Sequence, residues 1–358
     1  MKYIDEFRDK ELVRTLAEAI KRKSRRHIRI MEVCGGHTMA IRKYGIQKLL
    51  PDTIELLSGP GCPVCVTNRK AIDRAIELTK IKGLILATYG DLIRVPGSVS
   101  SLNREKALGA DIRVVYSTME AFDIARQNPD NHVVFPGIGF ETTTPSSAIA
   151  ILEAHRQDVK NFSVLSMHKM MPPAMEALIE QGVNIDGYIG PGHVTSVAGA
   201  DMYLPLTEKF GVSVVVSGFE PVDLLQSVFM LVNMVEEGRH GVEVQYKRAV
   251  THAGNLKAKE IVNEVFEPCD DEWRGLGLIP ASGLSVQKKY DKFNAQILFN
   301  PEVPDVPEPP GCICGEVLRG IKKPIDCKLF RKLCTPANPI GSCMVSGEGA
   351  CQAYYNYF

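Results

Sequence analysis

The sequence has no surplus of charge of either sign. Its 42 Lys and Arg are matched by 42 Asp and Glu, so no net positive field exists to hold a polyanion, and nucleic acid is not the expected partner. The one basic block, residues 21–26, closes an amphipathic period set by Leu12, Leu16 and Ile20 and reads as a solvated helix end. Long hydrophobic runs are missing as well. No stretch reaches the ~18 apolar residues of a membrane span, and the first residues are charged, unlike a signal peptide. A cytoplasmic protein is expected, and there thiols are kept reduced. Gly-Lys-Ser and Gly-Lys-Thr do not occur, which leaves nucleotide binding without a Walker A loop. Trp273 is the single tryptophan, and neither it nor Cys269, read as a buried free thiol, points to a chemistry.

What is present is apolar content and cysteine. With 358 residues, 45% of them hydrophobic, the chain can fill two or three domain cores. A helical period covers residues 5–22. Strand-like runs then alternate with helical ones: strands at 28–33, 53–57, 83–88, 112–116 and 132–135, helices at 68–80, 118–127 and 145–157. The alternation resumes with strands at 162–166, 187–189, 212–217 and 248–251 and helices at 172–181, 221–236 and 256–264. This grammar predicts parallel sheets with covering helices. The expected fold is α/β: an N-terminal helix (1–25), two parallel-sheet α/β domains (26–150 and 151–300) facing a cleft, and a small C-terminal cysteine-rich domain (301–358). Five prolines in residues 301–311 read as an extended linker into that last piece.

In open α/β sheets functional groups gather beyond the carboxyl ends of the strands, and the informative motifs lie there. Cys34-Gly35-Gly36-His37 follows the first strand. A thiol at a helix N-terminus is expected to have a lowered pKa, suited to nucleophilic attack or metal ligation; a small buried residue in a glycine turn is the plain alternative. Cys62 and Cys65, in GPGCPVC at 59–65, form a Cys-x-x-Cys pair that permits a disulfide, a redox couple or two ligands of one metal. A zinc ion held with Cys34 and His37 is one such arrangement. Glu141, ahead of three threonines, is a candidate buried acid, although those threonines also read as helix capping. His193, in a second Gly-Pro-Gly phrase, is a candidate site histidine or a loop residue. His168, in Met-rich text, reads as core packing.

Six of the ten cysteines fall in the last 47 residues: Cys312, Cys314, Cys327, Cys334, Cys343 and Cys351. That segment is too poor in apolar periods to hold itself in one shape. Disulfides, zinc or an iron–sulfur cluster would staple it. The last four lie seven, nine and eight residues apart. Such spacing favours a cuboidal cluster gripped from separate turns over zinc held by two close pairs, with Cys312 and Cys314 left over as a redox pair beside it.

Taken in order, Cys34-Gly35-Gly36-His37, GPGCPVC, TYGDLIRVPG at 88–97, GFETTTP at 139–145, GPGH at 190–193 and the tail CICGEVLRG…DC…CTP…GSCMVS…GAC resemble the HypD family of NiFe-hydrogenase maturation proteins. The resemblance runs over nearly the whole chain. It implies a scaffold on which an Fe(CN)2(CO) unit is assembled, working with the small chaperone HypC and receiving cyanide from HypE. It also implies that Cys34 is the iron ligand or assembly thiol with His37 beside it, that Cys62 and Cys65 act as a redox or ligand pair, and that Cys327, Cys334, Cys343 and Cys351 hold a 4Fe-4S cluster. An iron–sulfur-dependent thiol–disulfide oxidoreductase is the rival expectation. Whether the chain is an enzyme in its own right stays open at this level.

Overall fold

The computed structural model describes residues 5–358; the first four residues of the expected N-terminal helix lie outside it. That segment is broken at Asp9, which ends a single turn (Asp5–Arg8) and caps the helix Lys10–Lys23 by accepting the N–H of Leu12 at 2.8 Å.

Nine strands build two parallel sheets. β1 (Ile28–Glu32), β2 (Ile54–Ser58), β7 (Gly187–Pro191), β8 (Ser213–Ser217) and β9 (Gly241–Val244) run in the order β2-β1-β7-β8-β9. β3 (Leu84–Thr88), β4 (Ile112–Val114), β5 (His132–Gly139) and β6 (Phe162–His168) run in the order β4-β3-β5-β6. β3 and β8 are buried at every position, as helices covering both faces require. The α/β reading with parallel sheets therefore holds.

The sheets do not follow the division expected at 150 and 151. β1 sits between β2 and β7, with Ile30 paired to Leu56 on one side and Gly187 on the other. β6 pairs with β5 across seven residues from Val133 to Gly139. Chain order placed β1 with β3 and β6 with β7; pairing places each in the other company. Residues 248–251 are not a strand, and the edge position is taken by β9. β10 (Phe266–Trp273) and β11 (Gly277–Val286) add an antiparallel hairpin that the alternation did not anticipate.

The cysteine-rich tail is not set apart either. Cys314, Cys343, Met344, Val345 and Cys351 share one core with Cys62, Val64 and Cys65. The last helix, Ala350–Tyr357, packs on the helix Gly35–Lys43, where the Arg42 guanidinium lies 3.9 Å from the centre of the Tyr354 ring. The proline segment is pinned rather than free: Arg69 donates to the carbonyl of Pro307 at 2.7 Å, and Arg274 pairs with Glu308. No helix of the described residues is long and apolar enough to cross a membrane.

Candidate metal and thiol site

Strand ends supply the site. β1 runs into Cys34, the half-buried residue that caps the helix Gly35–Lys43. β2 runs into Gly59-Pro60-Gly61, which brings backbone against backbone: the Gly35 N–H donates to the Gly61 carbonyl at 3.0 Å, and a Cβ on Gly61 would overlap the Cys34 nitrogen. Only glycine permits that approach. Cys62 and Cys65 follow immediately and are buried around the short helix Pro63–Val66.

Glu32, not singled out in the sequence, presents Cys34. Its buried carboxylate accepts the Cys34 N–H at 3.1 Å and the Thr38 hydroxyl. Burial pushes it up to about 8, against the pull of those donors. The signal was there: one acidic residue in the otherwise apolar run from Ile30 to Val33. Cys34 itself departs from expectation. Burial, followed by the nearby Glu348 carboxylate, pushes its thiol up to about 12, and the N–H groups of His37 and Gly36 only partly oppose this. In the metal-free chain desolvation outweighs the helix N-terminus, and a bound cation would reverse the balance.

His37 is wholly buried. Its Nε2 lies 3.2 and 3.0 Å from the carbonyls of Ser217 and Gly218, while Nδ1 has no partner. Burial lowers its pKa to about 4, so the ring is neutral. Phe219 is stacked between His37 (4.6 Å between centroids) and the exposed His193 (4.1 Å). The two histidines are thus ends of one aromatic column, and Phe219 is a second residue the sequence reading passed over. Glu141, beyond β5, accepts the Met171 N–H at 2.9 Å through one oxygen; the other is buried without a partner. Burial pushes it to about 7.

The tail closes the arrangement. Ser342 donates to the Cys65 carbonyl at 3.0 Å, and Arg94 donates to that of Val345 at 2.9 Å. Glu348 lies against Gly35. Cys314, Cys351 and Cys65 are the thiol neighbours whose influence holds Cys343 well below the ordinary value. Burial and the neighbouring Cys343 raise Cys65. The Cys314 thiol raises Cys312 and Cys351. A small cavity is lined by Cys312, Cys314, Cys327, Cys334 and Cys351, with apolar Phe330 and Met344. Of the four expected cluster cysteines, three line this cavity and Cys343 stands between it and Cys65. Among the described residues no three His, Cys, Asp or Glu side chains converge at single-ion distance, which does not suit zinc shared by Cys34, His37, Cys62 and Cys65. A cuboidal cluster is gripped at its corners by thiols spaced further apart. Five cysteines among apolar groups are the donor chemistry of such a cluster, but the cavity they wall, about 10 Å³, would have to open to take one.

His168 is buried between Ser147 (3.1 Å) and Ser166 (3.2 Å), as core packing requires. Cys269 is half-buried and lies away from the other thiols, beside Lys169 and Asp271.

The model of the HypD family, described as a hydrogenase formation hypA family, matches residues 11–358. The chain is 50% identical over 368 residues to the hydrogenase maturation factor HypD2 of Bradyrhizobium diazoefficiens, covering 100% of this chain and 97% of that protein. It is 49% identical over 367 residues to HypD of Azotobacter vinelandii (100% and 97% covered). It is 45% identical over 368 residues to HypD of Escherichia coli (100% and 98% covered).

Proposed function

This chain belongs to the HypD family of hydrogenase formation proteins, and on that premise we propose that it is a scaffold on which the Fe(CN)2(CO) unit of a NiFe-hydrogenase is assembled. The observation that carries the reading is the gathering of cysteines around the ends of β1 and β2 and the tail. Cys34 abuts the Gly61-Cys62 turn, Cys65 faces Cys343, and Cys343 faces Cys314 and Cys351. Iron is the cargo, with Cys34 as its thiolate ligand. Low-spin iron bearing cyanide and carbon monoxide is a soft centre that thiolates hold well.

Each residue then has a task. Glu32 fixes the Cys34 backbone, so the thiol is offered from a rigid strand end. The neutral His37 supplies a nitrogen, Nδ1, with no competing partner. Glu141 and His193 are the proton-handling groups of the cleft, Glu141 with a carboxyl poised between its two forms near neutrality. Cys62 and Cys65 cycle between dithiol and disulfide or lend a ligand. Cys327, Cys334, Cys343 and Cys351 would hold a 4Fe-4S cluster, with Cys312 and Cys314 as the adjacent redox pair. That cluster would supply electrons one at a time. Cys343 is the thiol of the set that touches the Cys62–Cys65 pair, which makes it the junction. HypC is proposed to bring or withdraw iron at Cys34, and HypE to deliver cyanide.

The contact of Cys65 with Cys343 also favours a second reading, an iron–sulfur-dependent thiol–disulfide oxidoreductase. The two part experimentally. Protein purified without oxygen together with HypC is examined by infrared spectroscopy, in the window of metal-bound cyanide and carbonyl stretches where protein barely absorbs. Bands that vanish in Cys34→Ala are expected. A silent window in iron-loaded complex that still matures hydrogenase would favour the oxidoreductase.

A further inference from the structure

A polar cavity of about 200 Å³ opens where the helix Arg69–Leu78, β6 and the hairpin β10–β11 meet. Four charged side chains line it beside the neutral His168. Two of them cancel: Lys169 is buried and pairs with Asp271 at 2.5 Å. The other two have no counter-ion among the described residues. The guanidinium of the half-buried Arg74 has neither a hydrogen-bond nor an ion-pair partner; its Nε is buried, and its terminal nitrogens are open. Asp270 lies at the exposed rim, where the hairpin ladder loses register between Cys269 and Asp271. A break of that kind re-aims side chains. The Asp270 carboxylate accepts only the Ala281 N–H, at 3.0 Å. Asn294 adds a donor. It is 7% exposed, its Oδ1 accepts the Gln296 N–H at 3.1 Å, and its Nδ2 is open and without a partner.

A guanidinium with no acceptor is suited to a carboxylate, because its fork takes two oxygens at once. Asp270 on the same wall opposes a plain anion, however, and Arg74 opposes a plain cation. The two do not pair with each other, so a ligand that carries both charges, held apart, answers both. The wall is also partly apolar, through the buried Leu165, Leu284 and Val286. We propose that this cavity binds a small zwitterion of the amino-acid type: its carboxylate on Arg74 and Asn294, its ammonium on Asp270, and a short aliphatic side chain on Leu165, Leu284 and Val286. A body of about eight non-hydrogen atoms fits the volume, since ~150 Å³ already accepts benzene. The inference does not depend on whether the chain carries iron.

The probes are valine and its two truncations, 3-methylbutanoate, which lacks the ammonium, and isobutylamine, which lacks the carboxylate. Each is titrated into the full-length metal-free protein and followed by ligand-observed NMR. Valine is expected to bind about tenfold more tightly than either truncation, the effect of one charge-assisted contact. Arg74→Met, which keeps the length of the side chain, should bring valine and isobutylamine within about threefold of each other while valine still outbinds 3-methylbutanoate. Asp270→Asn should do the reverse, bringing valine and 3-methylbutanoate together while valine still outbinds isobutylamine. These opposite patterns are ones that a general loss of folding cannot produce. The proposal is overturned if valine does not bind the wild type, if either truncation binds it as tightly as valine, or if either variant keeps both preferences or loses both.

Discussion

Glu32 decides how Cys34 is presented, because two donors arrive at its two oxygens. Measured above pH 8, where the carboxyl is ionised, Glu32→Gln leaves a single acceptor and sets an amide N–H against one of those donors. The expected loss is about 1–2 kcal/mol of stability, read as a lower urea midpoint with unchanged slope; an unchanged midpoint would remove Glu32 from this role. His168 gives a prediction in pH. Its folded pKa is lowered to about 3 by burial, against ~6.5 in an unfolded chain. Between those values the unfolded state binds a proton that the folded state refuses. Stability therefore falls as pH drops from 6.5 towards 3, by up to about 1.4 kcal/mol per unit. In His168→Gln the slope of urea midpoint against pH should shrink. It should not vanish, because His37 is shifted in the same direction.

At the scale of elements, the hairpin β10–β11 holds the site from outside. At its tip the Arg274 N–H donates to the Val66 carbonyl at 2.8 Å, its side chain donates to that of Thr67 at 3.1 Å, and its guanidinium pairs with Glu308. Gly275, at φ +78°, lies against Gly315, where a Cβ would overlap the chain. The tip thus clamps the Cys62–Cys65 helix, the proline segment and the Cys312–Cys314 turn together. Arg274→Ala should cost about 2 kcal/mol, less than a fully buried pair because Glu308 is partly exposed. It should also raise the rate of Cys65 alkylation about tenfold, the effect of ~1.4 kcal/mol of easier local opening. Mass spectrometry of alkylated peptides measures this, and a Cys65 as protected as before would mean the tip does not clamp it. The hairpin escaped the sequence reading for a physical reason. Six of the eight residues of β10 are exposed or half-buried, so no apolar run marks it, whereas strands buried on both faces announce themselves. The motif loops were equally legible, since Gly, Pro, Cys and His at strand ends have few other uses. The roles of Phe219 and Glu32 were not, because a stacked ring and a two-donor carboxylate depend on what lies across the fold.

For the whole molecule, the element list was readable while the sheet membership was not. Period and length locate a strand, but nothing local to Ile28–Glu32 says that its second neighbour lies over 150 residues onward in β7. That pairing depends on crossovers, and the chain leaves the first sheet after β2 and returns only after β6. A consequence follows for dissection. A chain cut between residues 150 and 151 leaves β1 and β2 on one fragment and β7, β8 and β9 on the other, and it takes β6 from the edge of the second sheet. Neither fragment can close a sheet or cover the thiols of Cys62 and Cys65, which need the tail. Each fragment alone should lack a cooperative thermal transition and should bind a dye that reports exposed apolar surface. Mixed before refolding, the two should recover part of the native circular dichroism, because every strand is then present. Two fragments that each melt sharply on their own would mean that the halves are domains after all, and that the pairing of β1 with β7 adds little to stability. The expected failure has a bearing on the site: Cys34 after β1, His193 after β7 and Phe219 after β8 lie at the ends of strands of one sheet, so the aromatic column beside the thiol forms only when distant parts of the chain have already met.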